Sequence, residues 1–201
     1  MFIQVIQGKT SDAEALRQQF DRWKEEVAQG AEGYLGSTAG VAEDGTFVAL
    51  ARFESEEAAR ANSDRPEQGS WWEETSRHFD GEVTFRDCTE VYLHHGGGSD
   101  KAGFVQVIQG RATDKERLQA MDEEFLPQII ELRTEILGAV DAWDGDHVTS
   151  AVYFASEHTA REGEGQVLPG ELQESFNEWQ SLMEDLTYID LKDPWLHTDG
   201  D

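Results

Sequence analysis

Phe2-Ile-Gln-Val-Ile-Gln-Gly8 and Phe104-Val-Gln-Val-Ile-Gln-Gly110 differ by one conservative change. Two heptapeptides this similar mark a domain written twice in one chain. In the first copy Ile3 and Val5 face one way and Phe2 and Ile6 the other, because side chains alternate along a strand. Apolar residues on both sides predict a sheet buried on both faces.

The elements around each heptapeptide repeat as well. After the first copy, Ser11-Asp-Ala-Glu14 reads as a capping box, with Ser11 as the cap. Leu16, Phe20, Trp23 and Val27 then fall on one helical face. Residues 34–42 and 46–53 read as strands joined at Asp44-Gly45. Ser55 caps a second helix, which Arg65-Pro66 interrupts. Helix resumes near Gly69 and runs to Phe79, and residues 83–93 form one closing strand. In the second copy Thr113-Asp-Lys-Glu116 is the capping box. Leu118, Met121, Phe125 and Ile129 make the apolar face, and Pro127 is expected to bend that helix. A hairpin crosses Asp144-Gly-Asp146, a helix follows near residues 171–184, and a strand near residues 187–192. His95-Gly-Gly-Gly-Ser-Asp100 reads as a flexible linker. The expected boundaries are residues 1–95 for the first unit, 96–103 for the linker and 104–201 for the second.

Composition narrows the partners. The 201 residues carry 42 Asp and Glu against 16 Lys and Arg, a net charge of −26. Both halves are acidic, so nucleic acid and anionic membranes are repelled. Hydrophobic content of 38% and six Trp indicate a folded chain. The single cysteine, Cys88, excludes an intrachain disulfide and reads as a small buried residue. No secretion signal or long apolar run is present, so a cytoplasmic protein is expected.

Each unit has the order β-α-β-β-α-β, which gives a four-stranded antiparallel sheet with helices on one face, the ferredoxin-like arrangement. The bare face needs a cover. The expected fold class is therefore α+β, with the two ferredoxin-like units packed sheet to sheet inside one chain. The paired strands, the element order, the two Asp-Gly hairpins and the Trp-rich second helix of the first unit resemble the antibiotic biosynthesis monooxygenase-like superfamily of dimeric α+β barrels. The resemblance covers nearly the whole chain and implies a barrel that usually needs two chains, here formed by one. The chain is then a monomer with an internal pseudo-dimer, open to further oligomerisation. The superfamily includes cofactor-independent oxygenases of polyphenols, haem-degrading oxygenases and proteins of unknown role.

Several residues are candidates for a site. Gln4 and Gln106 put an amide mid-strand between apolar neighbours, where it needs partners. They either orient a ligand or make a structural hydrogen bond. Trp71, Trp72 and His78 come from one helix region; they are either ordinary core aromatics with a surface His, or they wall a pocket for a planar ligand with His78 as base. The second copy puts Leu172 and Ser181 at about these positions, which points to an asymmetric site in the first half. In haem-degrading relatives this helix carries the ligating His, but the Trp-to-His spacing here is shorter, so no cofactor is expected. Trp143 and Trp179 read as core. His94, His95 and His197 read as polar residues at strand ends, and adjacent His94 and His95 point apart, so no metal site is expected. Three functions remain open: a cofactor-independent monooxygenase acting on a planar aromatic molecule, a non-catalytic small-molecule binding or sensing module, or a structural protein without ligand.

Overall fold

The computed structural model describes residues 1–198. The chain begins with β1 (Phe2–Lys9) and α1 (Ala13–Arg22), which continues through a π turn (Trp23–Val27) and a 3-10 turn. β2 (Tyr34–Val41), β3 (Thr46–Phe53), α2 (Glu56–Ser63), α3 (Pro66–Thr75) and β4 (Thr84–Cys88) complete the first β-α-β-β-α-β set. β5 (Glu90–His94) precedes the second set: β6 (Phe104–Ala112), α4 (Lys115–Leu132), β7 (Ile136–Asp144), β8 (His147–Phe154), α5 (Glu157–Glu164), α6 (Gly170–Ser181) and β9 (Met183–Leu191). β10 (Trp195–Thr198) is the last described element. The fold class is α+β, as the alternation and the two helical faces predict.

Each sheet has five strands instead of the expected four. The orders are β10-β2-β3-β1-β4 and β5-β7-β8-β6-β9, all antiparallel in the pairings seen. The strand expected over residues 83–93 is thus two strands. β4 pairs with β1, and one residue later β5 joins the other sheet beside β7. Both stretches are extended, so alternation alone does not show the break. β10 reciprocates by pairing with β2, Trp195 opposite Ala39 and His197 opposite Ser37. The compact units are accordingly Met1–Val91 with the chain from Asp193 on, and Tyr92–Lys192. This differs from a simple cut at the linker.

Two glycines make room for the exchanged segments. Gly36 and Gly138 occupy the same position in the two copies, each at a register shift between the paired strands. A Cβ on Gly36 would overlap the carbonyl oxygen of His197, and one on Gly138 that of Gly97. Gly36 also sits at φ +134°, which disfavours any other residue.

The helical faces are apolar as expected, but the caps are not the predicted residues. Asp12 accepts from the Ala15 amide at 3.0 Å and Asp114 from the Arg117 amide at 3.0 Å. Ser11 and Thr113 are therefore one position too early. The Thr113 hydroxyl instead donates to the Leu182 carbonyl. Ser55 caps α2 as predicted, and Ser156 caps α5. Pro66 takes the first turn of α3, where its missing N–H costs nothing. Pro127 lies inside α4.

Both faces of each sheet carry buried residues. Beneath the helices lie Phe2, Ile6, Phe47 and Phe53 in one unit and Phe104, Ile136, Val148 and Phe154 in the other. On the opposite faces Ile3, Val48, Val105, Val107 and Ala151 are all 0% exposed. No helix of the described residues is long and apolar enough to cross a membrane.

Candidate functional site

The two glutamines do the same thing in both copies. Gln4 donates to Asp87 on the neighbouring strand at 2.9 Å. Gln106 donates to Asp190 at 3.1 Å and to Glu164 at 3.2 Å. Asp87 and Asp190 lie directly opposite them in the ladder. A helical arginine completes each group: Arg161 binds Asp190, and Arg60 feels the charge of Asp87. The amides are thus held by edge-strand carboxylates on the helix-covered face.

The aromatic candidates of the first unit are spread through its packing. Trp71 is 4% exposed and donates its indole N–H to the Gln19 carbonyl at 2.7 Å. Its ring lies 5.5 Å from Phe20, 6.2 Å from Trp23 and 5.9 Å from Trp72. Trp72 is half-buried, with Phe79 and Phe85 beside it. His78 closes a 3-10 turn, half-buried, and its carbonyl accepts from the Thr10 hydroxyl at 2.8 Å.

A denser polar constellation occurs in the second unit. His94 on β5 lies 2.8 Å, Nε2 to Oδ2, from Asp141 on β7. Asp141 is 8% exposed. Asp122 projects from α4 toward the same place, where the Trp179 indole N–H of α6 donates to it at 2.9 Å. His94 and Asp141 thus form a hydrogen-bonded pair, and Asp122 is near enough to feel the charges of both.

The electrostatics follow from this placement. Burial pushes the Asp122 carboxyl up to about 7, and the negative charge of Asp141 adds to the shift. The Trp179 hydrogen bond and His94 oppose it. The hydrogen bond to Asp141 raises His94 above its ordinary value, against the effect of burial. A carboxylate only accepts, so His94 Nε2 carries the hydrogen and Nδ1 is the basic nitrogen. The group thus holds a proton acceptor and a carboxyl that changes charge near neutrality, both useful in acid–base chemistry.

The sheet next to this group is partly exposed. Ladder pairing places Asp141, Ser150 and Ile108 side by side on β7, β8 and β6, with Val152 one step along β8. Ser150, Ile108 and Val152 are all partly exposed, although β8 and β6 are interior strands. Of the matching residues of the first unit, Ala39, Ala49 and Ile6 are buried, at 0%, 1% and 8% exposed, while Ala51 is partly exposed like Val152. The helices above also differ. Phe20 of α1 packs against both apolar clusters of its sheet and lies 5.2 Å from Phe47 and 5.6 Å from Trp195. Asp122 stands at the position of Phe20 in the copy. Among the described residues, no hydrophobic side chain packs against both of the clusters on the second sheet.

The histidine that matches His94 has a different setting. His197 Nδ1 lies 3.2 Å from the Tyr34 hydroxyl, which donates to Ser37 Oγ at 2.9 Å. Both histidines lie at or near strand ends, as expected, and each enters a sheet on an exchanged strand. Sequence reasoning singled out neither Asp122 nor Asp141. The signal was present: they replace Phe20 and Ala39 of the first copy. Among the described residues, no group of three His, Cys, Asp or Glu is placed to hold a metal ion.

No family model matches the chain, and no curated protein matches it by sequence. Solved structures do match it along its length. A candidate monooxygenase from Lactobacillus acidophilus superposes with a TM-score of 0.75 at 11% identity, over 99% of this chain and 96% of the other. One from Fusobacterium nucleatum gives 0.75 at 9% identity, over 99% and 94%. An anthrone oxidase-like protein gives 0.66 at 11% identity, over 100% and 94%. These likenesses establish the fold, which is the monooxygenase-like one that the paired heptapeptides suggest.

Proposed function

We propose that the chain is a cofactor-independent oxygenase of planar phenolic compounds, with its site in the second unit. The observation that carries the reading is the His94–Asp141 pair beside Asp122, above a partly exposed sheet floor. The monooxygenase-like fold supports the reaction class. The name of the anthrone oxidase-like structure suggests the probe: an anthrone, whose ring CH2 is acidic because the adjacent carbonyl and rings delocalise the carbanion.

In this reading His94 Nδ1 takes a proton from that carbon, and Asp141 stabilises the imidazolium and fixes its orientation. The carbanion gives its electrons to O2, and a carbon–oxygen bond forms. The resulting peroxide takes back the proton and loses water, leaving a carbonyl. The balance is CH2 plus O2 giving C=O plus H2O, with the substrate as the only reductant. Asp122, protonated near neutrality, donates to the oxygen on which negative charge develops.

Oxygen uptake with dithranol, an anthrone, tests this. Wild-type protein is expected to accelerate uptake. His94→Ala and Asp141→Asn should each lower the rate by about 100-fold, the scale of a positioned general base. An unchanged rate in both variants sinks the assignment. Loss in His78→Ala instead would move the site to the first unit, where Gln4, Trp71 and Trp72 would be its neighbours. Binding of dithranol without uptake would favour a binding module.

A further inference from the structure

We propose that the first unit carries a one-electron relay, from Trp72 through Trp71 and Trp23 to Tyr34, that quenches organic peroxyl radicals at its surface. The relay uses no residue of the second unit, so it stands or falls apart from the oxygenase reading.

Four oxidisable side chains lie in one contiguous line. Trp72 is half-buried, and its ring lies 5.9 Å from that of Trp71. Trp71 lies 6.2 Å from Trp23, and Trp23 lies 4.8 Å from Tyr34. Rings at such centroid distances are in contact. Electron tunnelling weakens steeply with distance, so contact keeps each transfer fast. Trp72 is the solvent end of the line, since Trp71, Trp23 and Tyr34 are 4%, 8% and 3% exposed.

The line also has a direction. The indole N–H of Trp71 donates to the Gln19 carbonyl at 2.7 Å, and that of Trp23 to Gln68 Oε1 at 2.6 Å. Neither acceptor is basic enough to take the proton, so an oxidised indole stays a cation. A buried cation is unfavourable, and the electron vacancy moves on. Tyr34 differs. Its hydroxyl lies 2.9 Å from Ser37 Oγ and 3.2 Å from His197 Nδ1. Its one hydrogen can turn to the imidazole, which accepts it when the ring's own hydrogen is on Nε2. Tyr34 then loses an electron to Trp23 and a proton to His197. The result is a neutral tyrosyl radical, with the positive charge on a partly exposed imidazolium. The electron reaches the peroxyl radical through the indoles, the peroxide anion takes a proton from water, and His197 returns one to water. The balance is Tyr34–OH plus ROO• giving Tyr34–O• plus ROOH. A soluble reductant of the ascorbate class restores Tyr34.

The second copy supplies the contrast. Phe125 and Ile136 stand at the positions of Trp23 and Tyr34, and neither is readily oxidised. The same scaffold packs without these two groups, so the fold alone does not require them.

Flash-generated ruthenium(III) tris-bipyridine, a one-electron oxidant, tests the relay, with radicals followed by transient absorption and electron paramagnetic resonance. The chain has four tyrosines. A Tyr92→Phe/Tyr188→Phe background removes the two exposed ones. In it a tryptophanyl signal should give way to a tyrosyl signal, and adding Tyr34→Phe should abolish the latter. Trp71→Phe, and separately Trp72→Phe at the surface, should slow tyrosyl formation at least about tenfold. His197→Gln should remove the solvent deuterium isotope effect on that step, which a packing role would not touch. Peroxyl radicals from a water-soluble azo initiator should give the same tyrosyl signal in the background and none once Tyr34→Phe is added. A tyrosyl signal that survives Tyr34→Phe would place the radical on Tyr153 and overturn the relay. So would the absence of any tyrosyl signal in the background, or a rate unchanged by both tryptophan variants. An isotope effect that survives His197→Gln would overturn His197 as the proton acceptor, and a signal with ruthenium but none with the azo initiator would overturn the peroxyl radical as the oxidant.

Discussion

The two units share a backbone plan and differ in what lies between helix and sheet. In the first, Phe20, Phe47, Phe79 and Trp195 fill the space over Ala39 and Ala49 with rings about 5–6 Å apart. In the second, Asp122, Asp141 and Ser150 take the places of Phe20, Ala39 and Ala49, and the floor admits solvent. The same scaffold thus carries a packed aromatic core in one copy and a partly exposed polar group in the other. A duplicated domain can do this because one copy holds its fold by packing while the other tolerates polar residues at the matching positions.

The sharpest way to break this comparison is to exchange the deciding residue. Phe20→Asp should destabilise the first unit by about 3 kcal/mol or more, since it removes a ring from the aromatic cluster and leaves a charge there. Urea unfolding checks it, and a loss under about 1 kcal/mol would mean that Phe20 does not close the space.

Acidity gives the next largest effect, on the order of 2 kcal/mol after allowance for partial exposure. Folded Asp122 keeps its proton to about pH 7, against 3.8 for the ordinary group. Folding therefore takes up a proton between these values, and stability falls as pH rises through that window. His94 acts in the same direction. Its raised value gives a contribution that is complete below the ordinary 6.5 and lost as pH rises through the folded value. Thermal unfolding at several pH values should show the decline, and Asp122→Asn should flatten its acidic part. A stability that rises from pH 4 to pH 7 equally in wild type and Asp122→Asn would contradict a buried, unpaired Asp122.

Exchanged strands test what the units have in common. Gly138→Ala and Gly36→Ala should each cost about 1–3 kcal/mol, because a backbone carbonyl occupies the space of the new Cβ. Measured side by side, similar losses would show that both exchanges are held the same way. The smallest effects concern the helix caps. Asp12→Ala and Asp114→Ala should each cost about 1 kcal/mol, and Ser11→Ala less than about 0.5 kcal/mol. A reversed order would restore Ser11 as the cap.

Much of the framework was legible in the chain. The heptapeptides became β1 and β6, the Asp-Gly pairs became hairpin turns, and Ser55 and Ser156 cap helices in both copies. These features are local, set by alternation, turn chemistry and orphan amides. The polar group of the second unit was not local. Asp122 sits within a helix read from Leu118, Met121, Phe125 and Ile129, where one carboxylate looks like solvent-facing polarity. Asp141 lies in an apolar strand run, and its partner His94 is 47 positions earlier. A closer alignment of the two copies would have exposed both substitutions. It would not have shown that they meet, because that depends on β5 joining the second sheet.

By itself the sequence determined the duplication, the repeated β-α-β-β-α-β order within each copy, the apolar residues on both faces of the first strands and the acidity that disfavours nucleic acid. All of these follow from periodicity, composition and neighbouring residues. Only the tertiary structure decided that residues 83–93 divide between two sheets, that each repeat-related histidine is delivered by an exchanged strand, and that one meets Asp141 while the other meets Tyr34. The physical reason is that strand partners and buried charge pairs form between residues far apart in the chain, and no local pattern records which distant group a side chain will find.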